Sequence, residues 1–194
     1  MPLFDHFSLL APYYEHFIQL KEPEKLIRIA KLPVDGALLD AGGGTGRVTQ
    51  SFKGLASSLV VADVSCEMLF QASEKRGLDP VCSYTERLPF PDHHFDRVVM
   101  VDALHHVCNQ KKTVDEMWRV LKPCGRLVIE EPDIQHFSVK LVAIAEKLAL
   151  MRSSFLAPEK IGAHLTYPDA QISIEREGYN AWVIVDKFSS QEES

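Results

Sequence analysis

A run of glycines between an apolar segment and a helix-like segment constrains the fold of this chain most strongly. The stretch from Leu38 to Arg47 is LLDAGGGTGR, with glycine at positions 42, 44 and 46. Because glycine has no Cβ, such a loop can turn sharply and let a ligand approach the backbone closely. The next segment, Thr45 to Phe52, looks helical, and the free N–H groups at a helix start bind polar or anionic groups. The pattern predicts a strand, a loop and a helix, and it is compatible either with a ligand-binding loop or with a tight turn alone.

The spacing of these glycines argues against two common nucleotide-binding loops. The dinucleotide fingerprint G-x-G-x-x-G, started at Gly42, needs glycine where this chain has Arg47. A P-loop needs Gly-Lys-Ser/Thr, but Arg47 and Val48 follow Gly46. Asp63 ends the next apolar run, and a carboxylate there can accept both hydroxyl protons of a ribose. Together these features predict an adenosyl ligand without a pyrophosphate.

Apolar runs alternate with helical segments along the chain. Strands are predicted at 37–40, 59–62, 80–84, 97–101, 126–129 and 179–188. Helices are predicted at 4–20, 22–31, 45–52, 65–75, 109–121, 139–151 and 168–176. Strands that are apolar throughout and alternate with helices indicate a parallel sheet covered on both faces. We therefore predict a single α/β domain over residues 1–194.

Composition and charge narrow the class of protein. Lys plus Arg is 21 against 27 Asp plus Glu, giving a net charge of −6, which disfavours a nucleic-acid partner. No apolar run is long enough for a membrane helix and the start of the chain has no signal-peptide pattern, so we expect a cytoplasmic protein without membrane insertion. The four cysteines form no C-x-x-C motif and are interpreted as reduced and mostly structural. No metal site is predicted, because His93 and His94 in their proline-rich loop are more typical of a solvated turn.

Four stretches together resemble the class I S-adenosylmethionine-dependent methyltransferases, in the branch that includes the ubiquinone/menaquinone C-methyltransferases. They are LLDAGGGTGR, VVAD ending at Asp63, ERLPFPDHHFDRVVMVDALHHV and LKPCGRLVIEEP. The resemblance covers residues 36–132 and implies a Rossmann-like doubly wound, mainly parallel sheet with helices on both faces. It also implies S-adenosyl-L-methionine as cofactor, S-adenosyl-L-homocysteine as product, and C- or O-methylation of a small molecule such as a quinol or phenol. A protein of the same fold that binds the cofactor without transferring the methyl is the alternative.

The resemblance divides the domain into three parts. Residues 1–34 would form N-terminal lid helices, residues 35–132 the cofactor-binding core, and residues 133–194 the substrate-side helices and the last strand. Tyr13 or Tyr14 of the lid would reach the methionine end of the cofactor. An ordinary amphipathic helix packed on the sheet would also explain the aromatic residues of this segment.

The same resemblance implies the cofactor-binding residues of the core. Asp40 with the three glycines Gly42, Gly44 and Gly46 would face the methionine part of the cofactor, and Asp63 would bind its ribose. Residues expected near the adenine are Cys66, Met68, Thr85, Glu86 and Leu88. The family commonly has an Asp four residues before the leucine, where this chain has Tyr84, so we expect Thr85, Glu86 or a backbone group to take over the adenine edge.

Candidate catalytic residues follow the fourth strand. Asp102 would lie beneath the transferring methyl, although it could instead cap the helix predicted after it. His105 and His106 are candidates for removing a proton from a phenol or hydroxyl acceptor. Adjacent residues on a helix point about 100° apart, so we expect only one of the two imidazoles to face the site.

The end of the chain departs from the family pattern. The family's sheet has seven strands, the seventh running antiparallel between the fifth and sixth, but only SSQEES follows the sixth predicted strand. We therefore predict six strands, with a seventh left open. An uncovered sheet edge pairs readily with other strands. Either residues 133–168 would cover that edge, or a homodimer would bury it.

Overall fold

The computed structural model describes residues 23–137, 139–140 and 153–189. The predicted lid helix at 4–20, with Tyr13 and Tyr14, lies outside the described residues. So does the predicted helix at 139–151, apart from its first two residues.

As far as β5, the described elements follow the predicted order. The α-helices are α1 (Pro23–Ile29), α2 (Cys66–Ser73), α3 (Gln110–Val120) and α4 (Pro158–Gly162). The strands are β1 (Ala37–Ala41), β2 (Ser58–Asp63), β3 (Asp79–Cys82), β4 (Phe95–Val101), β5 (Leu121–Pro132), β6 (Ala170–Glu177) and β7 (Asn180–Lys187). Two 3-10 helices span Thr49–Phe52 and Leu104–His106. Ser65 caps α2 by accepting the Met68 N–H, and Asn109 caps α3 by accepting the Lys112 N–H.

All seven strands form one sheet in the order β3-β2-β1-β4-β5-β7-β6. Strands β1 to β5 pair in parallel, and β7 runs antiparallel to both β5 and β6. This is the doubly wound, mainly parallel α/β architecture that the sequence predicts. After β1 the chain adds β2 and β3 on one side of it and then returns to add β4 and β5 on the other side. In sheets of this kind, ligands bind at the carboxyl ends of the strands beside the point where the direction changes.

The sheet contains the seventh strand that the sequence left open, so the prediction of six strands is corrected to seven. Residues 168–176, predicted as a helix, contain β6, in which Ala170, Ile172 and Ile174 alternate with polar residues at the period of two that defines a strand. A two-residue connection, Gly178-Tyr179, joins β6 to β7, and Gly178 has the positive φ of +57° that suits a hairpin turn. Because β6 covers β7, the reason for expecting a homodimer at that edge disappears.

The predicted helix at 45–52 is also wrong in its first half. Gly46 has φ +71°, outside the helical region, so turns occupy the segment before the 3-10 helix Thr49–Phe52. No regular α-helix therefore begins directly at the glycine loop.

Neighbouring residues on the central strands build the two apolar faces of the sheet. Leu39 of β1, Val98 of β4 and Leu127 of β5 belong to one buried cluster. Leu38, Val99 and Val128, the neighbours of those residues, belong to the second. Since successive side chains of a strand point to opposite faces, continuous apolar runs are required where both faces are covered. This packing holds the carboxyl ends of β1, β2 and β4 side by side.

Candidate functional site

A cavity of ≈ 280 Å³ opens at the carboxyl ends of β1, β2 and β4. Nine residues singled out from the sequence line it, namely Asp40, Gly42, Gly44, Asp63, Met68, Thr85, Glu86, Asp102 and His106. Four of these nine are acidic, so the cavity favours a ligand that carries positive charge.

The Asp63 carboxylate is fixed at the end of β2 by two backbone groups. Its Oδ2 accepts the Gly44 N–H at 2.9 Å, and its Oδ1 accepts the Ser65 N–H at 2.8 Å. A carboxylate oxygen has two lone pairs, so it can accept a backbone N–H and a ligand hydroxyl at the same time. Gly44 has φ +53°, and a Cβ there would lie 3.0 Å from Met68 Sδ. A side chain at residue 44 would therefore strain the backbone and crowd Met68 beside the carboxylate.

Asp40 is buried at the end of β1, with 1% of its surface exposed. Burial is the main reason that its pKa rises to about 6, partly offset by the hydrogen bond from Thr49 Oγ1 to its Oδ2 at 2.6 Å. The other oxygen, Oδ1, is buried and has no hydrogen-bond partner among the described residues. A buried polar atom without a partner costs roughly 1 to 3 kcal/mol, so this oxygen is a ready acceptor for a ligand donor.

Two further cavity residues, Arg47 and Ser83, were not identified as binding residues from the sequence. Nε and Nη1 of Arg47 and Oγ of Ser83 are buried and also lack partners among the described residues. Arg47 had been considered only as a departure from the dinucleotide fingerprint. The signal that could have found it is its position directly after the glycine loop, where a guanidinium can bind a carboxylate through two N–H groups.

Asp102 follows β4 with φ +52°, a left-handed conformation that is uncommon outside glycine. Burial raises its pKa to about 6, and the nearby Glu131 carboxylate adds to the rise. The alternative role as a helix cap is not observed, because the 3-10 helix Leu104–His106 follows Ala103 without a side-chain cap. The Asp102 side chain instead faces the cavity. Such strained backbone tends to occur at functional sites.

The two adjacent histidines are directed differently. His105 is buried, with its Nδ1 2.5 Å from Glu131 Oε2 and its ring stacked on Phe155. His106 lines the cavity, and burial together with the neighbouring His105 lowers its pKa to about 4. The His106 imidazole is therefore neutral near pH 7 and is a weak base.

Glu130 and Glu131 lie near the end of β5 and are not among the residues that line the cavity. Glu130 accepts hydrogen bonds from Trp182 Nε1 at 2.8 Å and Asn180 Nδ2 at 3.1 Å. Burial raises its pKa to about 7 despite the Trp182 bond. Glu131 Oε1 accepts the Leu104 N–H at 2.7 Å, so this carboxylate holds the 3-10 helix that carries His106.

The remaining sequence-predicted residues lie elsewhere. Gly46 packs against Leu78 and Ala72, and Leu88 is buried in the core with its N–H bonded to Glu116. Cys66 is exposed at the start of α2. None of these three is among the residues that line the cavity.

On the adenine side, two predicted residues already have partners. Thr85 Oγ1 pairs with Thr113 Oγ1 at 3.1 Å, and Glu86 Oε1 accepts the N–H groups of Cys108 and Asn109. Ser83 Oγ is therefore better placed than either to bind a ligand edge.

Solved structures of other proteins share this architecture. An S-adenosylmethionine-dependent methyltransferase of Thermotoga maritima, described as a possible histamine N-methyltransferase, superposes with a TM-score of 0.77 at 19% identity, covering 93% of this chain and 97% of that one. The [4+2]-cyclase SpnF also superposes with a TM-score of 0.77, at 15% identity, covering 95% of this chain and 94% of that one. The order of the seven strands and the reversed β7 define the class I methyltransferase fold.

Sequence comparison finds similarity over the core of the chain. Residues 39–129 match the family model described as "Methyltransferase domain". The ubiquinone/menaquinone biosynthesis C-methyltransferase UbiE of Pseudomonas paraeruginosa is 38% identical over 104 residues, 48% of this chain and 41% of the relative. The corresponding protein of Pseudomonas savastanoi is 35% identical over 116 residues, 54% of this chain and 45% of the relative. The chain thus spans less than half the length of these curated relatives, and the class I methyltransferase identification made from the motifs is confirmed.

Among the described residues, no helix has the length and apolar character needed to cross a membrane.

Proposed function

We propose that this protein transfers a methyl group from S-adenosyl-L-methionine to a small-molecule acceptor. The observation that carries the proposal is the set of unpartnered buried polar atoms in the cavity: Asp40 Oδ1, Arg47 Nε and Nη1, and Ser83 Oγ. Asp40 Oδ1 provides an acceptor for the ammonium of the cofactor, and the two Arg47 nitrogens provide paired donors for its carboxylate. Ser83 Oγ provides a hydroxyl for the edge of its adenine. With the Asp63 carboxylate for the ribose, the residues present fit every polar part of this cofactor.

The residues would divide the work as follows. Asp40 and Arg47 hold the amino-acid end of the cofactor, Asp63 its ribose, and Ser83 with Met68 its adenine side. Asp102 lies at the methyl end, and His106 with its neutral imidazole orients the acceptor through a hydrogen bond. When bound, S-adenosylmethionine supplies an electrophilic methyl on a sulfonium sulfur. Since methyl transfer gains mostly from in-line positioning, a strong base is not required.

The relatives suggest the class of acceptor. Those described above are named as C-methyltransferases of ubiquinone and menaquinone biosynthesis, and a quinol or phenol-like acceptor methylated on carbon or oxygen is consistent with them. A cofactor-binding protein without transferase activity is the second candidate, favoured by the absence of a strong base at His106. Labelled donor with a panel of phenolic acceptors distinguishes the two.

The charge of the cavity predicts a pH dependence of donor binding. Asp40 and Asp102 have pKa values of about 6, so both carboxyls are mostly ionised at pH 7.5 and mostly protonated at pH 5.5. Only the ionised forms attract a cation, which is the ammonium of the cofactor for Asp40 and its sulfonium for Asp102. The dissociation constant of S-adenosylmethionine should therefore rise on acidification, about fourfold for each carboxylate that must be ionised.

The product provides the control for this experiment, because S-adenosylhomocysteine carries no charge on sulfur. Its affinity, measured by calorimetry over the same pH range, should change less than that of the donor. Titration of Glu130, whose pKa is about 7, alters the field at Asp102 for both ligands alike. Because both ligands carry the ammonium assigned to Asp40, equal pH dependence for the two would show that the Asp102 carboxylate does not face the sulfonium.

A further inference from the structure

Two cysteine thiols are in contact beside the cavity. Cys66 is the first residue of α2 and Cys82 is the last residue of β3, and their sulfur atoms lie 3.2 Å apart. The parallel pairing of β2 with β3 produces this contact, because Cys82 stands opposite Asp63 and Cys66 follows Asp63 by three residues. Both thiols are free and exposed to solvent.

The chemistry of the pair suits oxidation better than packing. An exposed cysteine contributes little to a core, and two exposed thiols in contact are accessible to a small oxidant. The hydrogen bond with Cys66 is the main cause that raises the pKa of Cys82, and either thiol can be the donor of this bond. The two sulfurs are thereby held together in the reduced state. A covalent S–S bond is about 2 Å long, so about 1 Å of movement would close it.

We propose that Cys66 and Cys82 form a redox-modification site that low-molecular-weight disulfides convert to an intrachain disulfide. One cysteine thiolate attacks a sulfur of the small disulfide, forming a mixed disulfide and releasing one small thiol. The second cysteine then attacks the protein sulfur of the mixed disulfide, forming the Cys66–Cys82 bond and releasing the second small thiol. The protein loses two protons and two electrons, and the small disulfide takes up all of them to become two thiols.

The position of the pair couples its redox state to the cavity. Ser65 directly precedes Cys66 and caps α2 through the Met68 N–H, while Ser83 and Tyr84 directly follow Cys82. These four neighbours, Ser65, Met68, Ser83 and Tyr84, all line the cavity. Closing the disulfide draws the cavity wall that contains Ser65 and Met68 towards the wall that contains Ser83 and Tyr84, and it moves Ser83 Oγ. This consequence rests on the proposed function, whereas formation of the disulfide does not.

The experiment treats the full chain with oxidised glutathione, blocks the remaining thiols and maps disulfides by peptide mass spectrometry. The expected product is a Cys66–Cys82 disulfide that dithiothreitol reverses, and Cys66→Ser or Cys82→Ser should abolish it. Cys124→Ser is the matched control, because Cys124 is exposed but is not among the cavity-lining residues, and this variant should still form the bond. Stable glutathione adducts on Cys66 or Cys82, or disulfides shared randomly among the four cysteines, would overturn the proposal.

Calorimetry with S-adenosylhomocysteine supplies the second measurement. The oxidised protein should bind about fivefold more weakly than the reduced one, because binding sites require placement to within about 0.5 Å. The double variant Cys66→Ser/Cys82→Ser should bind equally with and without oxidant, because neither thiol remains to form a mixed disulfide. A disulfide that forms without changing the affinity would contradict the coupling to the cavity. If the reduced protein does not bind this ligand at all, the proposed function fails, and the peptide map alone decides the redox site.

Discussion

Gly44→Val should abolish measurable binding of S-adenosylhomocysteine while the domain stays folded. At φ +53° a Cβ would lie 3.0 Å from Met68 Sδ and 3.9 Å from Asp63 Oδ2, and the two valine methyl groups would extend further into the cavity. We expect at least a ~100-fold loss of affinity in calorimetry. The backbone strain costs about 1 to 3 kcal/mol, which a stable domain tolerates, and far-UV circular dichroism checks the fold.

The matched control for this substitution is Gly54→Val. Gly54 has a similar positive φ of +78°, but nothing lies within 4 Å of a Cβ at that position. The Gly54→Val variant therefore carries the same kind of backbone strain without blocking the cavity. Its affinity for S-adenosylhomocysteine should match that of the wild type. If Gly44→Val unfolds the protein, Gly44→Ala gives a smaller version of the same test. Normal binding by the folded Gly44 variants would mean that the loop is only a turn.

Asp63→Ala should weaken ligand binding by about 1 to 3 kcal/mol, or roughly 5- to 150-fold. The substitution removes the acceptor proposed for the ribose hydroxyls, and it also leaves the N–H groups of Gly44 and Ser65 without their partner. Asp79→Ala removes an exposed carboxylate at the start of β3 and should leave the affinity unchanged.

A 2′-deoxy analogue of S-adenosylhomocysteine separates the ribose contact from loop disruption. In the wild type, the analogue should bind more weakly than the parent ligand, because one hydroxyl partner is missing. In Asp63→Ala this difference should shrink towards zero, since the two changes remove the same interaction. An undiminished difference would show that Asp63 supports the loop without contacting the ribose.

The sequence predicts those parts of the site that depend on local patterns, namely apolar runs followed by an aspartate and the glycine loop. The apolar runs that end at Asp40, Asp63 and Asp102 are strands β1, β2 and β4, and parallel pairing brings their carboxyl ends to one edge. The glycine loop follows β1 for the same reason. Their arrangement around one cavity then follows from the doubly wound topology.

What could not be predicted depends on tertiary packing. Whether Arg47 or Ser83 has a hydrogen-bond partner is decided by every element around it, and the sequence does not display this. The contact between Cys66 and Cys82 depends on the register of β2 against β3, which a spacing of 16 residues does not reveal. The sequence does not distinguish strand β6 from a helix, because its alternation is short and its exposed face is polar.

The most direct test of the account is a calorimetric titration of the full chain with S-adenosylmethionine, S-adenosylhomocysteine and NADH. The account predicts that the first two ligands bind with dissociation constants on the order of micromolar, and that NADH gives no binding heat. Binding of NADH with no heat from either adenosyl ligand would contradict it.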